Sequence, residues 1–478
     1  MDGVDLVLAA DLGGSAVKLG LVDAEGRLVA STVRPLAEAA PVAGRVELDP
    51  ALWLRALYEL GRELLARARG RVAALALTGA TRSEVLADAE GRPLLPAILF
   101  ADRRAEAEAG ELAALPELAA TAPIDASHPL ARLLWFARRA PEALARARFL
   151  FEPKDWLAFV LCGVAGRDPL AAARLAAPGV AEAARRLGLR LDLLPPVRPF
   201  GAPLGRLAVE PAQVLGLPAG LPVVSAPMDS WCATLAIGAV AARRAYASAG
   251  SSEVAGLITD RPIAAPGLLS PPWGEGLWHL GGPSRAGGAG LDWLARLLGR
   301  PLSSLLEDLG EDLPGEAAPF CHPWLSGERV PVAAPGLRAG FWGLEVGQGP
   351  GDLARAFLEA LAFWNRLLLE RAEATAGIRA GELRLTGGLA ALPLVARLRA
   401  AALGRPVLVF RAREGALLGA AGLAWTTLGR FADLAAAQTA LAREPLRVEA
   451  TAEEVDRADR RFTRWRAELE RRLAEGTG

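Results

Sequence analysis

Leu6-Val7-Leu8-Ala9-Ala10-Asp11-Leu12-Gly13-Gly14-Ser15-Ala16-Val17-Lys18-Leu19-Gly20-Leu21-Val22 is two short apolar runs joined by a glycine-rich turn that carries one acid. Runs of this length on either side of such a turn read as an antiparallel hairpin. The turn Asp23-Ala24-Glu25-Gly26 follows, then a third strand from Arg27, so the opening of the chain is a β-meander. A helix is expected from about Pro50 to Arg69, with Leu52, Leu57, Leu60, Leu64 and Leu65 on one face. The run Val72 to Leu77 is a buried strand. Strands interleaved with helices place the chain in the α/β class.

Near residue 240 the pattern restarts. Tyr246-Ala247-Ser248-Ala249-Gly250-Ser251-Ser252 opens a second small-residue turn between strand-like runs, and periodic helices follow at Leu353 to Ala374 and Leu392 to Leu403. One architectural idea is used twice, with no repeat visible residue by residue. With 478 residues, two large domains are expected. We draw them at residues 1–240 and 241–430, with a helical tail at 431–478. In that tail Thr451 and Glu454 have capping-box spacing, and Val455, Ala458, Phe462, Trp465 and Leu469 form an apolar stripe. The stripe is expected to dock onto the second domain or to form an oligomer contact, which leaves a homodimer open.

Composition bounds the function. The hydrophobic fraction of 52% and charged fraction of 23% are those of a folded globular chain. A formal net charge of zero at pH 7 gives no electrostatic footprint for nucleic acid or an anionic membrane. Lys18 and Lys154 are the two lysines of the chain, so an individual arginine carries little functional information. Cys162, Cys232 and Cys321, and likewise His128, His279 and His322, are scattered without metal-ligand spacing. No secretory leader or apolar span of eighteen residues is visible, and a cytoplasmic location is expected.

Five short patterns could carry chemistry. In Asp11-Leu12-Gly13-Gly14-Ser15 the glycines let backbone N–H groups approach phosphate, Ser15 adds a donor and Asp11 could hold Mg²⁺; an ordinary tight turn would use the same residues. Gly250-Ser251-Ser252 is a second candidate phosphate turn. Thr386-Gly387-Gly388 follows the apolar run Leu383 to Leu385 and precedes a helix, where a nucleotide could lie against exposed backbone or a helix could simply begin. Asp229, after the apolar run Leu221 to Val224, suits either a general base or a helix N-cap. Asp102, with Arg103 and Arg104, reads as solvated charge, a substrate contact or an interdomain ion pair.

The order and spacing of these patterns resemble the FGGY carbohydrate kinases from about Leu6 to Gly429. Asp11-x-Gly13-x-Ser15-x-x-Lys18 is similar to the first phosphate motif. Leu77-Thr78-Gly79 through Asp88, Gly91-Arg92-Pro93-Leu94 and Phe100-Ala101-Asp102-Arg103-Arg104 resemble the substrate-side block. Pro129-x-x-Arg132-Leu133-x-Trp135-Phe136, Pro153-Lys154-Asp155-Trp156-Leu157, Ser326-Gly327-Glu328-Arg329-x-Pro331, Gly340-Phe341-Trp342-Gly343 and Gly387-Gly388-x-Ala390 continue in the family's order.

The resemblance implies two actin/hexokinase-like (ribonuclease H-like) α/β domains around an interdomain cleft. It implies ATP-dependent phosphorylation of a hydroxyl on a small sugar or polyol, with a ketopentose such as xylulose named first. Asp229 falls at the family's catalytic base, and Asp11 would position Mg²⁺. Gly13, Gly14, Ser15, Lys18, Gly250, Ser251, Gly387 and Gly388 would bind ATP. Ala80, Thr81, Arg82, Asp102 and Asp229 would face the sugar. Departures are Gly14 for a usual Thr, Leu389 for a frequent glycine and Ala401 for a common Asp. Ala80 and Arg82 stand where xylulose-kinase-like members have Gln and His. These substitutions keep glycerol, other polyols, sugar acids and a non-catalytic sugar-binding regulator as alternatives.

Overall fold

The computed structural model describes residues 4–36, 44–119, 124–410 and 414–475. The chain forms two units. One comprises Met1–Ala236 and Ala416–Leu441, the other Ile237–Gly415 and Ala442–Gly478.

In the first unit β1 (Asp5–Leu12), β2 (Ala16–Asp23) and β3 (Leu28–Pro35) form the expected meander. β4 (Arg71–Gly79) lies parallel to β1. Beyond it come β5 (Gly205–Arg206) and β6 (Pro222–Ser225), which gives the order β3-β2-β1-β4-β6-β5. β1 and β4 are apolar between their ends, over Leu6–Ala10 and Val72–Leu77, and almost wholly buried there, as strands covered on both faces are. β3 lies at the sheet's edge and alternates half-buried with exposed residues. Helix α1 (Ala51–Arg67) buries Trp53, Leu57, Leu60 and Leu64 in the core of this sheet. The Trp53 indole N–H donates to the Gly13 carbonyl at 3.0 Å, tying the glycine turn to the helix.

The second unit repeats the plan. β7 (Ala245–Ala249) and β8 (Glu253–Thr259) make its hairpin, followed by β9 (Pro272–Gly274), β10 (Leu277–Pro283), β11 (Leu383–Thr386), β12 (Val407–Val409) and β13 (Leu446–Val448). The order is β9-β10-β8-β7-β11-β12-β13, with β7, β11 and β12 parallel. Thus β3-β2-β1-β4-β6 corresponds to β10-β8-β7-β11-β12.

The topology also exposes a short residue repeat that the sequence reading missed. β4 ends Leu77-Thr78-Gly79 and β11 runs into Leu385-Thr386-Gly387. Each glycine abuts the end of the first hairpin strand. A Cβ on Gly79 would sit 2.6 Å from the Leu12 carbonyl oxygen, and one on Gly387 2.5 Å from that of Ala249. Neither position tolerates a side chain without moving backbone.

Two buried charge clusters lie near these strand ends. Helix α2 (Pro153–Cys162) places Lys154, which is fully buried, with its Nζ 2.8 Å from both Asp155 and Asp168 and 3.9 Å from Glu152. Ser225, at the end of β6, donates to Asp155 at 2.8 Å. The short helix α3 (Asp229–Ala236) follows β6. In the second unit the long helix α4 (Pro350–Ala376) and α5 (Pro393–Leu403) flank a second cluster. There Arg399 grips Glu253 at 2.7 and 2.9 Å and Asn365 at 2.8 Å, all fully buried. Glu253 directly follows the Gly250–Ser252 turn, so this pair anchors that turn from below.

The tail forms α6 (Ala452–Glu475), opened by the reciprocal Thr451–Glu454 capping bonds. Phe462, Trp465 and Leu469 join the second unit's core, and Arg461 pairs with buried Glu359 at 2.6–2.7 Å. The stripe therefore docks on the second unit. The three cysteines are free thiols, and no described helix is long and apolar enough to cross a membrane.

Removing one member of a buried ion cluster leaves the others without a counter-charge. Lys154→Met is therefore expected to cost about 3–5 kcal/mol in denaturant unfolding. Burial already pushes Asp155 up to about 6, and loss of the ammonium raises it further. The deficit should consequently shrink as pH falls from 8 to 5 and the carboxyls take up protons. A loss under about 1 kcal/mol, or one independent of pH, would show that Lys154 is not the counter-ion.

Candidate active site

The parallel strands β1, β4 and β6 all point one way, so their carboxyl ends gather Asp11, Gly79 and the residues after Ser225 at one edge of the first sheet. Ligands of open α/β sheets bind outside such carboxyl ends. Asp229 lies there, half-buried, as the first residue of α3. Its Oδ1 accepts the adjacent Ser230 N–H at 2.5 Å. An N-cap would bond one or two residues further on, so Asp229 does not cap this helix. Burial pushes its carboxyl up to about 6; the Glu152 charge adds to this, while the Ser230 N–H and Lys18 oppose it. At neutral pH it is mostly ionised yet holds a proton more readily than an exposed Asp, which suits a proton acceptor.

Asp11 is half-buried and pairs in the β1–β2 register with Lys18. Asp11 stands beside Thr78 in the β1–β4 register, and the Thr78 hydroxyl donates to the Pro227 carbonyl at 2.6 Å, two residues before Asp229, so the two carboxylates belong to one neighbourhood. In the turn, the Gly13 N–H is engaged by the Ala16 carbonyl at 3.0 Å. Among the described residues no carbonyl takes the N–H of Gly14 or Ser15. These two, rather than Gly13, are the backbone donors left for an anion.

The second unit has a matching arrangement. Gly250 closes its turn by donating to Ser252 at 3.2 Å, whereas the N–H groups of exposed Ser251 and Ser252 find no carbonyl among the described residues. The turn is clamped from outside, because Gly288 donates to Gly250 at 2.8 Å and Ala289 to Ser251 at 3.0 Å. Gly387 and Gly388 are exposed at the end of β11, leading through a short 3₁₀ turn into α5. Half-buried Leu389 lies close to Gly288, within 3.5 Å of where a Cβ would stand. Ala401 is buried within α5.

Ala80, Thr81 and Arg82 form a turn after β4. Arg82 is held at φ +54°, a conformation that costs a residue with a Cβ free energy. Two side chains hold it there. Glu152 Oε1 accepts the Arg82 N–H at 3.1 Å and the Thr81 hydroxyl at 2.7 Å, while Arg132 donates to the Arg82 carbonyl at 2.8 Å. Arg174 donates to the Thr81 hydroxyl at 2.9 Å.

Glu152 and Arg174 were not singled out from sequence. They lie 71 and 93 residues from Thr81, and their one local signal is that Glu152 precedes the recognised Pro153-Lys154-Asp155. Asp102 stands apart from this turn's bonds. It is buried, pairs with Arg104 at 2.7 and 2.8 Å and accepts the Val46 N–H at 2.6 Å, so its oxygens are occupied by protein.

Glu152, Asp155 and Asp168 bring carboxylate oxygens within 4.8 Å of one another, as a metal site would. The Lys154 ammonium already supplies the cation at that position.

Family models extend over most of the chain. Residues 6–236 match the N-terminal domain, and residues 245–428 the C-terminal domain, of the FGGY family of carbohydrate kinases. Escherichia coli K12 xylulose kinase is 29% identical over 375 residues, 75% of this chain and 77% of that protein. Thermus brockianus glycerol kinase is 31% identical over 445 residues, 87% of this chain and 88% of that protein. A crystal structure of a xyloylose kinase from Brucella ovis superimposes with a TM-score of 0.88 at 27% identity, covering 98% of this chain and 99% of that one. Relatives of two different specificities are equally similar, so identity at this level leaves the acceptor open. With both of its halves matched in order, and a curated relative 31% identical over most of its length, the chain belongs to the FGGY family of carbohydrate kinases.

Proposed function

We propose that the protein transfers the γ-phosphoryl group of ATP to a hydroxyl of a small sugar or polyol in the cytoplasm, with Asp229 as general base. The observation that carries this is an Asp raised to about 6 at the carboxyl edge of the first sheet, beside Asp11 and the glycine turn. Asp229 takes the hydroxyl proton as that oxygen attacks the γ-phosphorus; the new O–P bond forms while the bond to the bridging oxygen breaks, and ADP leaves. Transfer of this kind depends on positioned donors around the moving charge. On the first unit the N–H groups of Gly14 and Ser15, and more distantly Lys18, are suited to that work. On the second, Gly250, Ser251, Gly387 and Gly388 would cradle the nucleotide.

Asp11 and Asp229 offer only oxygen, a donor set that fits a hard cation such as Mg²⁺. Asp11 would be its protein ligand, and the ion when bound would neutralise phosphate charge. Within the acceptor class, a ketopentose such as xylulose is the expectation carried by family resemblance. Ala80 offers it no polar side chain. The alternative of a non-catalytic regulator rests on Leu389, Ala401 and Gly14. Leu389 packs toward Gly288 and Ala401 is buried, so neither substitution removes the donors named above.

Asp229→Ala should lower substrate-dependent ADP release about 100- to 10,000-fold while the fold survives. Wild type should show kcat/KM rising with pH through about 6 to a plateau, because the base must be ionised. Near-normal turnover in the variant would remove Asp229 from the mechanism. Bound ATP with no release on any ketopentose, polyol or sugar acid would favour the regulator.

Asp229→Asn tests the same carboxyl through stability. The folded value lies above the unfolded one, so the native state holds the proton more tightly and stability falls as pH rises from about 4 to about 6. The amide cannot ionise. It should be more stable than wild type at pH 8, by about 1–2 kcal/mol after discount for partial exposure, with the gap closing below pH 4. Equal pH profiles of melting temperature would refute the raised value.

A further inference from the structure

The turn after β4 carries a second pair of charges that the phosphoryl-transfer reading does not use. Arg82 Nη1 reaches Asp125 at 3.1 Å and Ser127 at 3.3 Å. Arg174 Nη1 reaches the Thr81 hydroxyl at 2.9 Å and lies 3.8 Å from Glu152. The Nε and Nη2 of both arginines find no acceptor among the described residues. Their side chains nevertheless remain 27% and 21% exposed, so a small molecule can reach them.

Both arginines belong to one neighbourhood, because Glu152, whose Oε1 accepts the Arg82 N–H and the Thr81 hydroxyl, lies 3.8 Å from Arg174. After burial itself, the Arg82 charge is the largest influence holding Arg174 below its ordinary value. The same two arginines, again after burial, help hold His128 down to about 4, so that imidazole is neutral and adds no charge. Asp125 and Glu152 each offset part of the arginine charge, and the Nε and Nη2 donors of both guanidiniums are left for a further anion. Arginine donates and never accepts, and Ala80 contributes only a methyl group. A sugar hydroxyl would leave such a donor-rich wall partly unanswered, whereas a planar carboxylate accepts from a guanidinium fork at both of its oxygens.

We propose that Arg82 and Arg174 bind a carboxylate on the acceptor, so that the substrate is a polyhydroxy acid of the aldonate class rather than a neutral ketose or polyol. The inference rests on the reading of the Ala80–Arg82 turn as the sugar-facing side of the kinase. It also orients the acceptor. The acid end sits at the arginines, and a hydroxyl remote from it is presented to Asp229, because a carboxylate beside Asp229 would be repelled.

Calorimetric titration of the full-length protein separates this inference from the kinase reading, since it reads binding without turnover. D-xylonate and D-gluconate are compared with xylitol, D-xylulose, glycerol and inorganic phosphate. An aldonate should bind at least about 10-fold more tightly than its neutral counterpart, and added NaCl should weaken it. Arg82→Gln and Arg174→Gln should each reduce aldonate affinity about 10- to 100-fold, as expected for loss of a charge-assisted bond. Arg174→Lys should recover part of the loss.

Tighter binding of xylitol or D-xylulose than of either aldonate would overturn the proposal without any variant. So would full aldonate affinity in the Arg82→Gln/Arg174→Gln double variant, or inorganic phosphate outcompeting aldonate at equal concentration. ADP release is scored in parallel on the same panel. Aldonate binding with no release would sink the kinase reading alone, and release on a neutral sugar with no aldonate binding would sink this inference alone.

Discussion

The structure is organised around two places where backbone meets backbone with no room for a side chain. Gly79 lies against the Leu12 carbonyl and Gly387 against that of Ala249. That approach lets a parallel strand run level with the end of the hairpin strand beside it, so turn, strand end and following loop share one edge. A methyl group at either position would push the loop away from the turn. In the first unit Gly79 sets where Ala80, Thr81 and Arg82 emerge relative to Gly14 and Ser15. In the second it is Gly387 that brings the end of β11 level with Ala249, just before the Gly250–Ser252 turn. The same constraint arises in both halves because both use the same strand order.

Charges buried near these edges keep them rigid. Taking an ion pair out of water costs free energy that its mutual attraction only partly recovers, so such pairs are poor sources of stability. What they provide here is position. Lys154 draws Asp155 and Asp168 together and leaves Glu152 directed at the Thr81–Arg82 turn, whose φ of +54° Glu152 and Arg132 then maintain. Glu253 and Arg399 do the equivalent service directly behind Ser251 and Ser252. The donors above these clusters stay in place before any ligand arrives, which lowers the reorganisation that binding would otherwise require.

Features made by neighbours in sequence were legible from residues alone. The hairpin around Gly13–Ser15, the restart near residue 240 and the capped tail helix each follow from local periodicity and turn chemistry. Asp229 could be located but not interpreted, because a general base and an N-cap share the same position; its contact with Ser230 speaks against the N-cap alone. Glu152 and Arg174 stayed invisible. Their meaning comes from contacts with Thr81 that span 71 and 93 residues, and no spacing rule reports such a distance. Asp102 is the opposite case. It stands in a recognisable motif, yet Arg104 and the Val46 N–H occupy its oxygens.

The path of the chain has a consequence for how the protein is made. It passes from the first unit to the second after Ala236, returns after Gly415 and leaves again after Leu441. The returning stretch supplies the helices Gly415–Thr427 and Leu434–Leu441; Gly419 packs so tightly on the Cys232 carbonyl that a Cβ would lie 1.9 Å from it. A ribosome adding about 5–20 residues per second therefore delivers the last piece of the first unit roughly 10–40 s after its main body. For that interval α3, the helix bearing Asp229, emerges with one flank uncovered. The nascent chain must be shielded there, or must tolerate the exposure, before Asp229 is seated.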